Sequence, residues 1–197
     1  MTREAIVATA LESIRNHGLR GLALREVARR LAVSLPTIQH HFATRDELWR
    51  GCVDHLTAQR LPMLEALPSQ VPGAGLAEIL RAQLAQTTLA PGLTAAMWHD
   101  PEEGAEERLD YLEERARPLV ELGRRRIQAG ITNGTLRPVD PDVVTALIGL
   151  GMGSLANAPE AMRRLFGIDL DDEAARERLA TALTDILLNG LLVERRQ

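Results

Sequence analysis

Residues Gly18 to Leu48 read G-L-R-G-L-A-L-R-E-V-A-R-R-L-A-V-S-L-P-T-I-Q-H-H-F-A-T-R-D-E-L, and this stretch decides the fold. Two short amphipathic runs flank a turn of a few residues. The first, Leu24 to about Leu31, sends Val27, Ala28 and Leu31 inward and Arg25, Arg29 and Arg30 outward, the recurrence of a helix. Its cap position holds Ala23, a poor cap because it has no side-chain acceptor. Ala32-Val33-Ser34 forms the turn. Ser34 can cap the second run, Leu35 to His41, which carries Pro36 in its first turn, where a missing N–H does no harm. Two short helices at a tight turn, the second exposing polar side chains and flanked by Arg, make a helix-turn-helix whose second helix can enter the major groove of DNA.

On the N-terminal side, Ile6, Val7, Ala10, Leu11 and Ile14 recur at three- and four-residue steps and predict a helix from Arg3 to about Asn16. Thr2 is its cap and Gly18 its stop. On the C-terminal side, Phe42 and Ala43 close the second helix of the motif. Thr44-Arg45-Asp46-Glu47 then reads as a capping box, with Thr44 accepting from the Glu47 backbone and Glu47 reaching back to Thr44. The helix that starts there puts Leu48, Cys52 and Leu56 on one face until Pro62 kinks or ends it. Pro68, Pro72, Gly73 and Gly75 mark a linker.

The rest reads as helix after helix: Leu76 to Leu89, Leu93 to Asp100, Ala105 to Ala129 broken or restarted at Pro118, Pro141 to Asn157, and Asp172 to Val193. Aromatic residues are only 3% of the 197, so the core is built from Leu, Ala, Val and Ile. That composition favours packed helices over a sheet rich in aromatic and β-branched residues. The expected fold is all-α: a helix-turn-helix head over residues 1–48 and a helical body over residues 49–197.

Net charge of −4 hides an asymmetry. Residues 1–50 hold eight Arg against five acidic residues, a local +3, while the remainder carries −7. A polyanion therefore meets the N-terminal quarter, because phosphate attraction depends on local positive charge. The single Cys52 has no internal disulfide partner, and no charged segment followed by an apolar one opens the chain, so a cytoplasmic protein is expected. The longest apolar stretch, Val143 to Ala158, is too short and too interrupted by Gly, Ser and Asn for a bilayer, which needs about 20 residues.

The motifs of the head resemble the DNA-binding domain of the tetracycline-repressor family. Members of that family show an (I/V)-A pair, a small-V-S turn, T-(L/I)-Y-x-H-F, and then a basic residue before an acid and Leu. Here these are Val27-Ala28, Ala32-Val33-Ser34, Thr37-Ile38-Gln39-His40-His41-Phe42 and Arg45-Asp46-Glu47-Leu48. Three positions depart from the pattern: Ala23 stands where the family has Thr, Gln39 where it has Tyr, and Arg45 where it has Lys. The resemblance implies that Arg25, Leu35, Pro36 and His40 touch base edges while Thr37, Gln39, His41 and Arg45 hold phosphates, with Ser34 at the cap in the same DNA-facing set. The chemistry agrees, since an Arg fork fits guanine, Pro and Leu meet a thymine methyl, and helix N–H groups suit phosphate. Gln39 can donate to a phosphate or read adenine bidentately.

Beyond the head the resemblance is one of layout. It implies a homodimeric regulator, a repressor that binds a pseudo-palindromic double-stranded operator and is released by a small, mostly apolar effector. Gly149 and Gly153 lie one turn apart beside Ala146, a smooth face for close helix approach. Leu179, Leu183, Ile186, Leu187 and Leu191 form an apolar stripe, so two such helices per chain suit a four-helix dimer contact. Leu84, Thr88, Met97, Trp98, His99, Tyr111 and Met152 combine apolar bulk with polar tips, as a ligand pocket needs, though ordinary core packing accounts for them as well.

No cofactor or metal is expected. His40 and His41 point about 100° apart on a helix and make a poor ligand pair, and the glycines at 149–153 follow no strand, as a dinucleotide loop would require. Cys52 reads as core packing. No nucleophile elbow or carboxylate dyad signals an enzyme. The alternative function is a helical dimer that binds a small molecule or partner and has lost sequence-specific DNA binding.

Overall fold

The computed structural model describes residues 1–17, 21–66, 78, 105–151, 155 and 158–191. Helix α1, Arg3–His17, starts under the Thr2 hydroxyl, which accepts from the Ala5 N–H at 3.3 Å. Its buried face is Ile6, Val7, Ala10 and Ile14. Helix α2, Leu24–Arg30, begins after an extended Ala23 that makes no side-chain cap, and it buries Val27 and Ala28.

At the end of α2, Ala32 takes a left-handed φ of 53°. The Val33 N–H reaches the Ala28 carbonyl at 3.0 Å and the Ala32 N–H reaches that of Arg29 at 3.2 Å. This paired closure normally places glycine at the left-handed residue, because a Cβ there crowds the following carbonyl. Ala32→Gly is expected to raise the unfolding free energy by up to about 1 kcal/mol, read as a higher urea midpoint. An unchanged or lower midpoint would show that the turn holds no strain.

Helix α3, Leu35–Gln39, is capped by Ser34, whose hydroxyl accepts from the Thr37 N–H at 3.3 Å. It ends two residues before the expected His41. The His41 N–H tightens onto the Ile38 carbonyl at 2.9 Å, the short three-residue step common at helix ends. Helix α4, Arg45–Ala66, runs through Pro62 without ending. Helix α5, Ala105–Thr132, likewise continues through Pro118.

Ile6, Ile14, Leu22, Val27, Ile38, Phe42, Leu48, Trp49, Cys52, Val53 and Leu112 pack into one core of buried side chains. Helix α6, Pro141–Ala146, is capped by Asp140, which accepts from Asp142 N–H at 2.8 Å, and it passes into a π-helical turn at Leu147–Gly151 instead of continuing as α-helix. Helix α7, Pro159–Phe166, has no counterpart in the expected spans; Gly167, at φ 67°, ends it. Helix α8, Glu173–Leu191, starts where Asp172 accepts from Ala175 N–H at 3.1 Å. A second core joins Ile127, Leu136, Val144 and Ala180, with Leu179, Leu183 and Leu187 packed on it.

The described residues divide into two compact units. One holds Met1–Arg60 and α5 up to Ala116; the other holds α4 from Leu61, α5 from Arg117 and the elements after it. Pro62 and Pro118 each lie just past a crossing. Every described element is helix or turn, and no helix of the described residues is long and apolar enough to cross a membrane.

Candidate nucleic-acid interface

Helix α3 is rooted by Ile38, which is wholly buried. Pro36, Gln39 and His40 are exposed, while Leu35, Thr37 and His41 are half-buried. The exposed three stand at i, i+3 and i+4, one outer face of the helix. That face offers an apolar ring, an amide that can donate and accept, and an imidazole, a set that can meet base edges in a groove. The His40 and His41 rings sit edge to face, 5.3 Å apart at 75°.

The end of α3 is pinned by a residue that sequence reading missed. Arg3 donates through Nη1 to the His41 carbonyl at 2.9 Å, and its guanidinium lies 4.0 Å from the centre of the Phe42 ring. The two partners are 38 residues apart, so no local pattern reveals them. Phe42 is itself buried, and a Cβ on Gly51 would come within 2.7 Å of its ring. Close approach of α4 to that ring therefore requires glycine at 51.

On α2, Arg25 is exposed and makes no hydrogen bond or ion pair among the described residues. Its neighbours differ. Arg29 forks onto the Glu26 carboxylate through Nε at 2.9 Å and Nη2 at 2.7 Å, and Arg30 adds its Nε at 3.2 Å. The Arg29 hydrogen bonds, followed by those of Arg30, hold the Glu26 carboxyl down to about 2. Arg30 also lies 3.8 Å from Glu12.

At the start of α4, Thr44 accepts from the Glu47 N–H at 3.1 Å, as the capping box requires. The return bond is displaced by one residue: Glu47 Oε2 accepts from Ala43 N–H at 2.8 Å. Arg45 is exposed beside this cap. Behind it, Asp46 takes a hydrogen bond from Arg108 at 3.1 Å. Asp54 accepts from the Tyr111 hydroxyl at 2.7 Å and from Arg115 Nε at 2.9 Å.

These bonds tie the first half of α5 to α4, and Tyr111 belongs to that tie: its ring is 6.0 Å from Trp49 and lies under the guanidinium of Arg50. Burial, then the hydrogen bond to Asp54, pushes the Tyr111 phenol up. Cys52 is buried and its thiol is pushed up to about 12 by desolvation, so almost no thiolate exists at neutral pH.

The sequence model described as bacterial regulatory proteins of the tetR family matches residues 6–51, and the tetracyclin repressor-like C-terminal domain matches residues 76–197. The chain belongs to the tetR family. It is a DNA-binding transcriptional regulator with a helical body. The HTH-type transcriptional regulator RutR of Escherichia coli K12 is 21% identical over 190 residues, covering 96% of this chain and 90% of RutR. The transcriptional regulator FadR from Bacillus subtilis, solved in complex with stearoyl-CoA, superposes with a TM-score of 0.74 at 14% identity, covering 96% of this chain and 99% of FadR. AibR, solved with isovaleryl coenzyme A and operator DNA, gives 0.70 at 18% identity, covering 93% and 96%.

In this tetR-family chain, Arg25 lies on α2, Leu35, Pro36, Thr37 and Gln39 lie on α3 behind its Ser34 cap, His40 and His41 follow the end of α3, and Arg45 opens α4. Of the expected pocket residues, Tyr111 packs on Trp49; Leu84, Thr88, Met97, Trp98, His99 and Met152 lie outside the described residues. Of the expected dimer residues, Leu179, Leu183 and Leu187 are half-buried against the second core. Ala146 is exposed and Gly149 half-buried. Ile186 is 67% exposed. Gly153 and the Leu191 side chain lie outside the described residues.

Ile186 and Leu187 line an open groove of about 340 Å³ together with Val139, Val143, Leu147 and Gly190. Val143 is 63% exposed and Leu147 54%, two large apolar side chains that sequence reading did not assign.

Proposed function

We propose that this tetR-family regulator is a homodimeric repressor that reads a pseudo-palindromic operator through α3 and is released by a small, mostly apolar effector. The observation that carries this reading is the outer face of α3, flanked by the exposed Arg25, unpaired among the described residues, and the exposed Arg45. The head is residues 1–48 and the body residues 49–197. Arg25, Leu35, Pro36 and His40 read bases, and Thr37, Gln39, His41 and Arg45 hold phosphates beside the Ser34 cap. The protein works in the cytoplasm, without cofactor or metal and without catalysis.

A symmetric dimer sets two recognition helices about one DNA turn apart, so each half-site is read once and the sites are inverted. The exposed apolar side chains around the groove of α6 and α8 support a self-contact, because scattered Leu is ordinary but a contiguous apolar patch favours burial. Ile186→Asp is expected to weaken dimerisation about tenfold or more, since it places two carboxylates in an apolar contact. Sedimentation of the variant as a dimer of wild-type strength would move the interface elsewhere.

The pocket lies in the body, where Leu84, Thr88, Met97, Trp98, His99, Tyr111 and Met152 are the proposed lining. Release requires the effector to bind the DNA-incompetent arrangement more tightly than the competent one, and α4, which runs from head to body, is the physical link. Acyl-coenzyme A complexes of FadR and AibR support the reading that this fold takes acyl-bearing small molecules. Thermal shifts across a panel of apolar ligands test it: a ligand that raises the melting temperature of the wild type should lose that effect in Trp98→Ala. An equal response of the two proteins would discard the pocket.

A further inference from the structure

We propose that Glu26 sets the specificity of this regulator by sequestering Arg29, keeping a second guanidinium of α2 away from the DNA backbone. The inference rests on the reading of the head as a DNA-binding domain.

Arg25 and Arg29 stand one turn apart on α2 and therefore share a face. In a helix-turn-helix the first helix of the pair crosses the sugar-phosphate backbone. Both guanidiniums thus face the same polyanion, yet their states differ. Arg25 is unpaired among the described residues, whereas Arg29 has both arms of its fork closed on the Glu26 carboxylate at 2.7 and 2.9 Å.

The Arg29 side chain is 72% exposed, and among the described residues Glu26 is its one partner. Arg30 is different: its side chain is 21% exposed and it has Glu12 as a second acidic neighbour. Loss of the Glu26 charge therefore frees one cation, Arg29. The Glu26 carboxyl, lowered by these hydrogen bonds, stays ionised throughout the physiological pH range.

The consequence follows from how polyanions bind. A phosphate contact adds affinity for every DNA sequence alike, by releasing a condensed counterion, and carries no base information. A free Arg29 raises binding to random DNA as much as to operator. The chain contains no lysine, so its permanently cationic side chains are all guanidiniums, which can bind phosphate in a bidentate way. An internal carboxylate that occupies one such fork keeps non-specific binding low while Arg25 remains available to a base.

The test measures affinity of the purified full-length protein for a random-sequence duplex against salt, between about 50 and 200 mM. Wild type is expected to show a linear decline of log K with log salt. E26Q should steepen that slope by about 0.9, so its advantage shrinks about 3.5-fold across the range. Arg29→Gln alone should keep the wild-type slope, because its fork is already filled. The double variant should return to wild type, and the unchanged slope of Arg29→Gln separates release of Arg29 from a simple change of net charge, which would flatten that slope.

An unchanged slope in E26Q, or a flatter one in Arg29→Gln alone, would overturn the proposal while leaving the head a DNA-binding domain. Wild type without salt-dependent binding would overturn the DNA reading itself, and the proposal with it.

Discussion

Gly21→Ala is expected to cost the head about 3 kcal/mol of stability, the upper end of the range for overpacking a close contact. A Cβ at Gly21 would lie 2.3 Å from the Ser13 carbonyl oxygen and 2.5 Å from its carbonyl carbon. Those atoms belong to the backbone of α1, so no side-chain rotation relieves the clash and the helix itself must move. Ser13 is wholly buried, and its hydroxyl oxygen would also lie 2.8 Å from that Cβ. The neighbouring Ile14 and Leu22 are core residues, so a shift of α1 opens the packing beneath α3. Urea unfolding of the full chain, compared with wild type, reads the effect; a variant within about 0.5 kcal/mol of wild type would show that the contact yields cheaply.

The second large effect concerns recognition. Arg25→Ala is expected to lose about 1–3 kcal/mol of operator affinity, roughly 5- to 150-fold, and to relax base preference at one position of each half-site. Arg45→Ala should behave differently, weakening all sequences together and lowering the salt slope by about 1. Competition of wild type and variants over a set of single-base operator substitutions separates the two. Unchanged affinity and selectivity in Arg25→Ala would remove it from the residues that read bases.

The helix-turn-helix was legible because its signals are local. The Ser34 cap, Pro36 in the first turn and the Thr44-to-Glu47 box sit within four residues of what they bond. Pro62 and Pro118 were misleading for the same reason. Each removes one N–H and disfavours helix locally, but burial on both sides offsets that penalty. Trp49 and Val53 are buried before Pro62, and Arg126 bonds the Leu64 carbonyl after it. Leu112 and Ile127 do the same for α5.

Helix α7 carried signals that the expected spans did not use: Pro159 at its first position and Gly167 just past its end. The π turn at Leu147–Gly151 was hidden because Gly149 and Gly151 are compatible with a smooth α-helical face and with a widened turn alike. Arg3, Gly21, Gly51 and the Asp54–Tyr111–Arg115 cluster were beyond reach of any periodicity. Arg3 and the cluster act through partners far along the chain, such as the 57 residues that separate Tyr111 from Asp54, and the two glycines through close contacts with Ser13 and Phe42. The outward direction of Arg25 was readable, but the capture of Arg29 by Glu26 required the side-chain geometry.

On the proposed reading, a dimer recognises an inverted repeat through α3. The most direct test of that reading is selection of preferred duplexes from a random pool by the purified, effector-free protein at about 150 mM salt, where weak phosphate binding is screened. An enriched inverted repeat with half-site centres about 10 base pairs apart, or a multiple of that, is the expected result. No enrichment from a folded dimer would contradict it and leave a helical ligand- or partner-binding protein that has lost its operator.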